Sequence, residues 1–138
     1  ELIIKAASSQ SVVVRRYAIE AIGLIAQQLE ECQDTLIRGL ENALKDEDAI
    51  VRRNAAFSIA QLGSKVCSKL IVEGLIENLQ DWHHHVRGWS IEALQRLDNE
   101  PALKAAIKYL NLSRWDAFPK SGDRTISDKV MRQEDPVR

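Results

Sequence analysis

Apolar positions along the chain fall into three sets at helical spacing. Val14, Ala18, Ile22 and Ile25 form one set, Val51, Ala55, Ile59 and Leu62 a second, and Val86, Ser90, Leu94 and Leu97 a third. Residues three and four apart share one side of an α-helix, so each set predicts a helix with one face turned to a core. The segments around them align as Val14-Arg15-Arg16-Tyr17-Ala18-Ile19-Glu20-Ala21-Ile22, Val51-Arg52-Arg53-Asn54-Ala55-Ala56-Phe57-Ser58-Ile59 and Val86-Arg87-Gly88-Trp89-Ser90-Ile91-Glu92-Ala93-Leu94. Their offsets, 37 and then 35 residues, suit a two-helix repeating unit.

A second amphipathic segment precedes each of the later two copies. One carries Leu36, Ile37, Leu40 and Leu44, the other Leu70, Ile71, Leu75 and Leu79. They close on polar turns, Lys45-Asp46-Glu47-Asp48 and Gln80-Asp81-Trp82-His83. Leu2 to Ala7 reads as the remnant of a first outer helix. Gly63-Ser64 marks a loop, and Asn99-Glu100-Pro101 breaks the chain after the third copy. Pro101 suits the first turn of a last helix with Ala102, Leu103, Ala106, Ile107 and Leu110. A helix pair cannot bury both its faces alone, so each unit must lean on the next. Small residues at Ala18, Ala55 and Ser90 allow the helices to approach. The expected fold is all-α: a right-handed α-α superhelix over residues 1–112, with about two and a half to three helix pairs and the second helix of each pair lining a concave side.

Composition agrees and narrows the function. Only three prolines occur among 138 residues, and helix formers dominate. Nineteen basic residues face twenty acidic ones, a net charge of -1, which gives no electrostatic pull toward nucleic acid or an anionic membrane. No apolar run reaches membrane-spanning length, and no signal peptide opens the chain. Cys32 and Cys67 are expected to be small core hydrophobes of a reducing compartment, hence a cytoplasmic location. An opening without Met, already apolar-periodic, suggests a trimmed piece of a longer protein.

The stretch Asp46-Glu47-Asp48-Ala49-Ile50-Val51-Arg52-Arg53-Asn54-Ala55-Ala56 resembles the HEAT-repeat family, specifically the short HEAT-like repeats of phycobilin lyases and related proteins. The resemblance covers about residues 1 to 112. It implies an armadillo-type helical solenoid, in which a turn acid and the arginine after the valine bond between neighbouring repeats. The matching positions are Asp46, Asp48 and Arg52 in the second repeat and Asp81 and Arg87 in the third; the first keeps Arg15 but has Ser9 and Ser11 at the acidic places. These arginines are expected to be structural. The resemblance fixes fold more firmly than function, because the scaffold serves many tasks.

A second column on the inner helices lies off the core face. Tyr17, Asn54 and Trp89 share one level, Glu20, Phe57 and Glu92 the next, and Leu24, Gln61 and Arg96 the third, with Arg16 and Arg53 at the rim. Aromatic rings beside mixed charges suit the centre of a protein-binding surface, or pad one helix against the next. The protein-binding residues expected here are Arg16, Tyr17, Glu20, Arg53, Asn54, Phe57, Gln61, Trp89, Glu92 and Arg96. Catalytic and metal-binding residues are expected to be absent. His83-His84-His85 are adjacent in sequence, point different ways and lack an obvious fourth ligand. No Gly-rich phosphate loop, nucleophile elbow or metalloprotease motif occurs. The iron-dependent hydroxylases of this architecture use His-Glu pairs, which the chain lacks, and Glu20 and Glu92 disfavour the basic groove of the helical-repeat DNA glycosylases.

The chain is therefore expected to bind a partner protein rather than to catalyse, with no cofactor, no nucleic acid and no membrane. The resemblance carries an alternative: part of a phycobilin lyase, or of a phycobiliprotein chaperone or degradation factor, handling a linear tetrapyrrole. Its partners would be a phycobiliprotein or a second HEAT-like subunit. In that case the groove rings would stack on the bilin, and Arg16, Arg53 or Arg96 would pair with its propionates. A structural spacer, with no groove partner, is a third class. Residues 113–138 form a polar tail in which Trp115 and Phe118 either fold back onto the last helix pair or stay loose to meet a partner, with a short helix near Ser127 to Gln133.

Overall fold

The computed structural model describes residues 1–116, with side chains as far as Leu112. The expectations for Trp115 and Phe118 side chains and for Ser127 to Gln133 lie outside the described residues. Seven α-helices succeed one another: α1 (Leu2–Ala7), α2 (Val12–Gln28), α3 (Asp34–Ala43), α4 (Ala49–Leu62), α5 (Lys69–Asn78), α6 (His84–Arg96) and α7 (Glu100–Asp116), with a 3-10 turn at Gly63–Val66. No strand occurs among the described residues. The all-α repeat solenoid expected from the periodicity is the observed fold, although α7 continues past the boundary placed at residue 112.

α4 packs closely against both α2 and α6, whereas α1, α3, α5 and α7 touch one another only lightly. A stack held tighter along one row curves toward that row. α2, α4 and α6 are thus the inner row. Between the rows lies one core, with Ile19, Ile22, Leu40, Leu44, Val51, Ile59, Ile71, Leu75, Leu94 and Leu97 almost wholly buried. Burying each such side chain stabilises by about 1.5–3 kcal/mol.

The first repeat departs from the pattern. Val14 and Ile25, expected in the core, are 42% and 41% exposed, while their counterparts Val51, Val86, Leu62 and Leu97 are buried. Those counterparts are covered by the preceding inner helix, and α2 has no such neighbour among the described residues. Leu70, Leu103, Ile107 and Leu110 are also about half exposed. On α5 the packed face runs through Ile71, Val72 and Leu75, and on α7 through Ala102 and Ala106, so the larger neighbours turn outward. Cys67 is exposed rather than buried, and only Cys32 is half-buried; burial pushes its thiol upward, partly offset by Lys65.

Each turn into an inner helix is organised by one side chain. Asp46 Oδ1 accepts from the Asp48 N–H at 2.9 Å, Asp81 Oδ1 from the His83 N–H at 2.9 Å, and Ser9 Oγ from the Ser11 N–H at 3.2 Å. The same aspartates receive an arginine from the repeat before. Arg15 reaches Asp46 at 2.9 and 3.2 Å, and Arg52 reaches Asp81 at 2.7 and 3.2 Å, both with the two-pronged geometry that suits a guanidinium. The remaining nitrogen holds the arginine's own turn: Arg15 donates to the Ser9 and Gln10 carbonyls, Arg52 to those of Asp46 and Glu47, and Arg87 to those of Asp81 and Trp82. The structural role expected for this ladder is the observed one, with Asp46 and Asp81 as the bridging acids.

The inner helices also meet at small residues. A Cβ on Gly23 would lie 2.8 Å from Ser58 Cβ, and still closer to its hydroxyl oxygen, so α2 and α4 can pack as they do only because residue 23 has no side chain. Between outer elements, a Cβ on Gly74 would lie 3.0 Å from Leu44 Cδ1, a tight contact that the bare glycine avoids.

Two predictions follow the packing. Arg52→Ala strands the Asp81 carboxylate in a dry junction and should cost about 3 kcal/mol in urea unfolding. Gly23→Ala should lose about 1–3 kcal/mol by overpacking, despite its gain in helix propensity. Adding Ser58→Gly to that variant removes the colliding atoms and should recover the part of the loss due to collision.

Candidate binding groove

Side chains on the open side of the inner row form a cleft of about 440 Å³. Gly23 and Ser58 make its floor, because the close crossing of α2 and α4 removes bulk there. Glu20, Leu24 and Gln27 line it from α2, Arg53, Asn54 and Phe57 from α4, and His85 and Trp89 from α6. A neighbouring depression of about 480 Å³ is lined by Gln61, His84, His85, Gly88, Trp89, Glu92 and Arg96. His85 and Trp89 are shared by both.

Of the ten residues expected to bind, Glu20, Arg53, Asn54, Phe57 and Trp89 line the cleft, and Gln61, Glu92 and Arg96 join Trp89 at the depression. Arg16 and Tyr17 line neither. Arg16 is clamped to Asp48 at 2.8 and 2.9 Å, and Tyr17 stands 69% exposed on the outer edge of α2. Gly23, Ser58 and Gln27 were not among the expected residues. The first two carried a signal in their size, which shows as a floor only once the helix crossing is known.

The two large rings pad one helix against the next, one of the two roles considered for them. Phe57 and Trp89 meet edge to face, centroids 4.7 Å apart and planes at 90°, an arrangement worth about 0.5–1.5 kcal/mol beyond area burial. Trp89 packs against the core, while Phe57 remains 42% exposed. Padding thus fixes the rings in place, and exposure leaves a rigid apolar edge facing the cleft.

Charge in the cleft follows from one replacement between repeats. Asp48 caps α4 by accepting from the Val51 N–H at 3.0 Å, and it also holds Arg16 of the preceding helix. The corresponding position in the next repeat is His83, which starts α6 without a side-chain cap. Arg53, the counterpart of Arg16, consequently meets no carboxylate among the described residues and bonds only to Asn54 Oδ1, at 3.2 and 3.4 Å. Asn54 in turn donates to the Arg16 carbonyl at 3.3 Å. The cleft therefore carries a guanidinium on α4 and the Glu20 carboxylate on α2, neither in an ion pair with another described residue. Glu92 and Arg96 neutralise each other at 2.7 Å.

The imidazoles of His83, His84 and His85 bunch within 4.0–5.7 Å of one another, closer than their adjacency in sequence suggested. Among the described residues no three His, Cys, Asp or Glu side chains are grouped to hold a metal ion.

Stacked helix pairs with a row of arginine–aspartate junctions and an open inner face define an α-solenoid of helical repeats. A family model described as HEAT repeats matches residues 1–70 and 37–117. The chain belongs to the HEAT-repeat family. No curated protein matches it. No helix among the described residues is long and apolar enough to cross a membrane.

The hydrogen bond from Arg16, the helix cap at Val51 and the nearby arginine charges hold the Asp48 carboxyl below its usual value, against a smaller opposing effect of burial. A depressed folded value means stability present above the unfolded pKa and lost as pH falls through the folded one. Between neutral pH and strong acid, stability should decline more steeply in the wild type than in Asp48→Asn. The variant should be less stable at neutral pH, and the two urea midpoints should converge at low pH.

Proposed function

We propose that this chain is a protein-interaction scaffold that holds a partner protein on its concave face. The observation that carries this reading is the Phe57–Trp89 pair, fixed by its own edge-to-face contact yet open to the cleft. Rigid aromatic anchors lose little conformational freedom on binding and dominate many protein interfaces. Arg53 and Glu20, unneutralised on facing helices, would orient a partner segment that offers an apolar side chain between an acid and a base. Repeats locked by buried junctions keep these groups at fixed spacing, as a recognition surface requires.

The narrower reading, part of a phycobilin lyase or of a phycobiliprotein chaperone or degradation factor, would use the same cleft. Phe57 and Trp89 would flank a linear tetrapyrrole and Arg53 would meet a propionate. Arg16 would not serve, being held by Asp48. Nothing in the cleft favours a bilin over a peptide, so protein binding is the reading we adopt.

The experiment is a parallel affinity capture from native extract with wild-type protein and a Phe57→Ala, Trp89→Ala double variant. Folding is checked by circular dichroism, and the catch is scanned for bilin absorbance. A partner held by the wild type should be lost from the folded double variant, with Trp89→Ala alone weakening binding by about 2 kcal/mol in titration of that partner. Visible absorbance travelling with the wild type alone would select the bilin reading. Equal capture by both proteins would remove the cleft as the site.

A further inference from the structure

We propose that the partner segment held in the cleft carries an Asp or Glu side chain that docks on Arg53, taking the place that Asp48 fills for Arg16. The inference rests on the reading of the cleft as a protein-binding site and adds the chemistry of what it holds.

The repeat supplies its own template. Arg16 and Arg53 stand 37 positions apart, at equivalent places on successive inner helices. Arg16 turns Nε and Nη2 to the two oxygens of Asp48, at 2.9 and 2.8 Å, the two-pronged pairing that a guanidinium favours. The residue that should answer Arg53 lies 35 positions after Asp48, and it is His83. The same two nitrogens of Arg53 therefore share one neutral acceptor, Asn54 Oδ1, at 3.4 and 3.2 Å. A carboxylate is a stronger partner than an amide oxygen, and its second oxygen would give each nitrogen its own acceptor. This mismatch sits at an internal junction, where α4 has an inner helix on either side. Arg53 is half-buried on the wall of the cleft, so an acid that reaches it is partly sheltered from water and held more firmly.

Charge and spacing narrow the ligand further. Of the two arginines lining the cleft and the depression, Arg96 is neutralised by Glu92, whereas Arg53 has no acid among the described residues. Glu20 lines the same cleft. One guanidinium with a carboxylate nearby suits a singly charged acid and not the near-dianionic phosphate of a modified residue. A cleft of about 440 Å³ is small for a whole helix, which is about 10–12 Å across, and suits an extended chain. Arg53 and Phe57 are separated by one helical turn, about 6 Å along the axis, a distance that an extended chain spans in about two residues. The expected segment thus places an Asp or Glu on Arg53 and, two positions away, a large apolar side chain against Phe57 and Trp89. His83 determines this specificity by not being an acid.

Selection from a random peptide display library on the wild type, on Arg53→Gln and on the Phe57→Ala, Trp89→Ala variant tests this. Peptides chosen by the wild type should be enriched in an acid two positions from a large apolar residue, and Arg53→Gln should keep the apolar preference while losing the acid. In titrations of one chosen peptide, replacing its acid by the amide should weaken binding to the wild type about 10-fold or more, and to Arg53→Gln hardly at all, because both changes remove the same contact. His83→Asp should cap α6 as Asp48 caps α4, hold Arg53 within the chain, keep or raise the urea midpoint, and bind the peptide as weakly as Arg53→Gln does. If that buried change prevents folding, the peptide-amide comparison on Arg53→Gln decides alone. Peptides that need Phe57 and Trp89 but show no acid preference, or whose acid dependence survives Arg53→Gln, would overturn the inference and leave the binding cleft standing. Peptides indifferent to the double ring substitution, or no selection at all, would remove the cleft reading and this inference with it.

Discussion

An aspartate that does two jobs at once underlies this molecule. Asp46 and Asp81 each tie down their own turn through a backbone N–H and, with the same carboxylate, receive the arginine of the repeat before. Neither job alone would align one helix pair on the next. Combined, they fix where an inner helix starts relative to its predecessor, since the arginine also grips the carbonyls of its own turn. A charged pair in a dry junction contributes little net stability but strongly penalises misplacement, because a slipped register would leave both ions buried and unmatched. The positions of Phe57, Trp89 and Arg53 follow from this alignment.

Much of the architecture was legible in the chain because its determinants are local and repeated. The recurrence of Val-Arg at positions 14, 51 and 86 located the inner helices, and the acids at 46, 48 and 81 located the turns. Where the pattern misled, the cause was context. Val14 and Ile25 occupy core positions by periodicity, but periodicity cannot say whether a neighbouring helix is there to cover them. Leu103 and Ile107 belong to the same apolar spacing as Ala102 and Ala106, but α7 packs through the two alanines. The column of candidate groove residues was legible as a column only. Its separation into cleft, depression and outer edge depends on how closely α2 crosses α4, which Gly23 and Ser58 determine by contact across the fold.

The repeats acquire individuality through a few departures from their shared pattern. Replacing a cap aspartate by His83 leaves Arg53 without the partner that Arg16 has, and so puts a positive charge into the cleft. Replacing the third repeat's rim arginine by Gly88 clears space, since a side chain there would meet nothing within 4 Å. A scaffold whose junctions are held elsewhere can accept such changes without losing its shape. Recognition chemistry can therefore vary at one set of positions while the fold is maintained by another.

The unequal packing of the two rows has a mechanical side. Inner helices that touch along their length act as the neutral line of a bent beam, and the lightly touching outer helices form its compliant skin. A pull along the stack would first open gaps between α1, α3, α5 and α7, while distances along the inner row stayed nearly constant. The spring of this molecule is on its back, and its inner face behaves as a rigid bar.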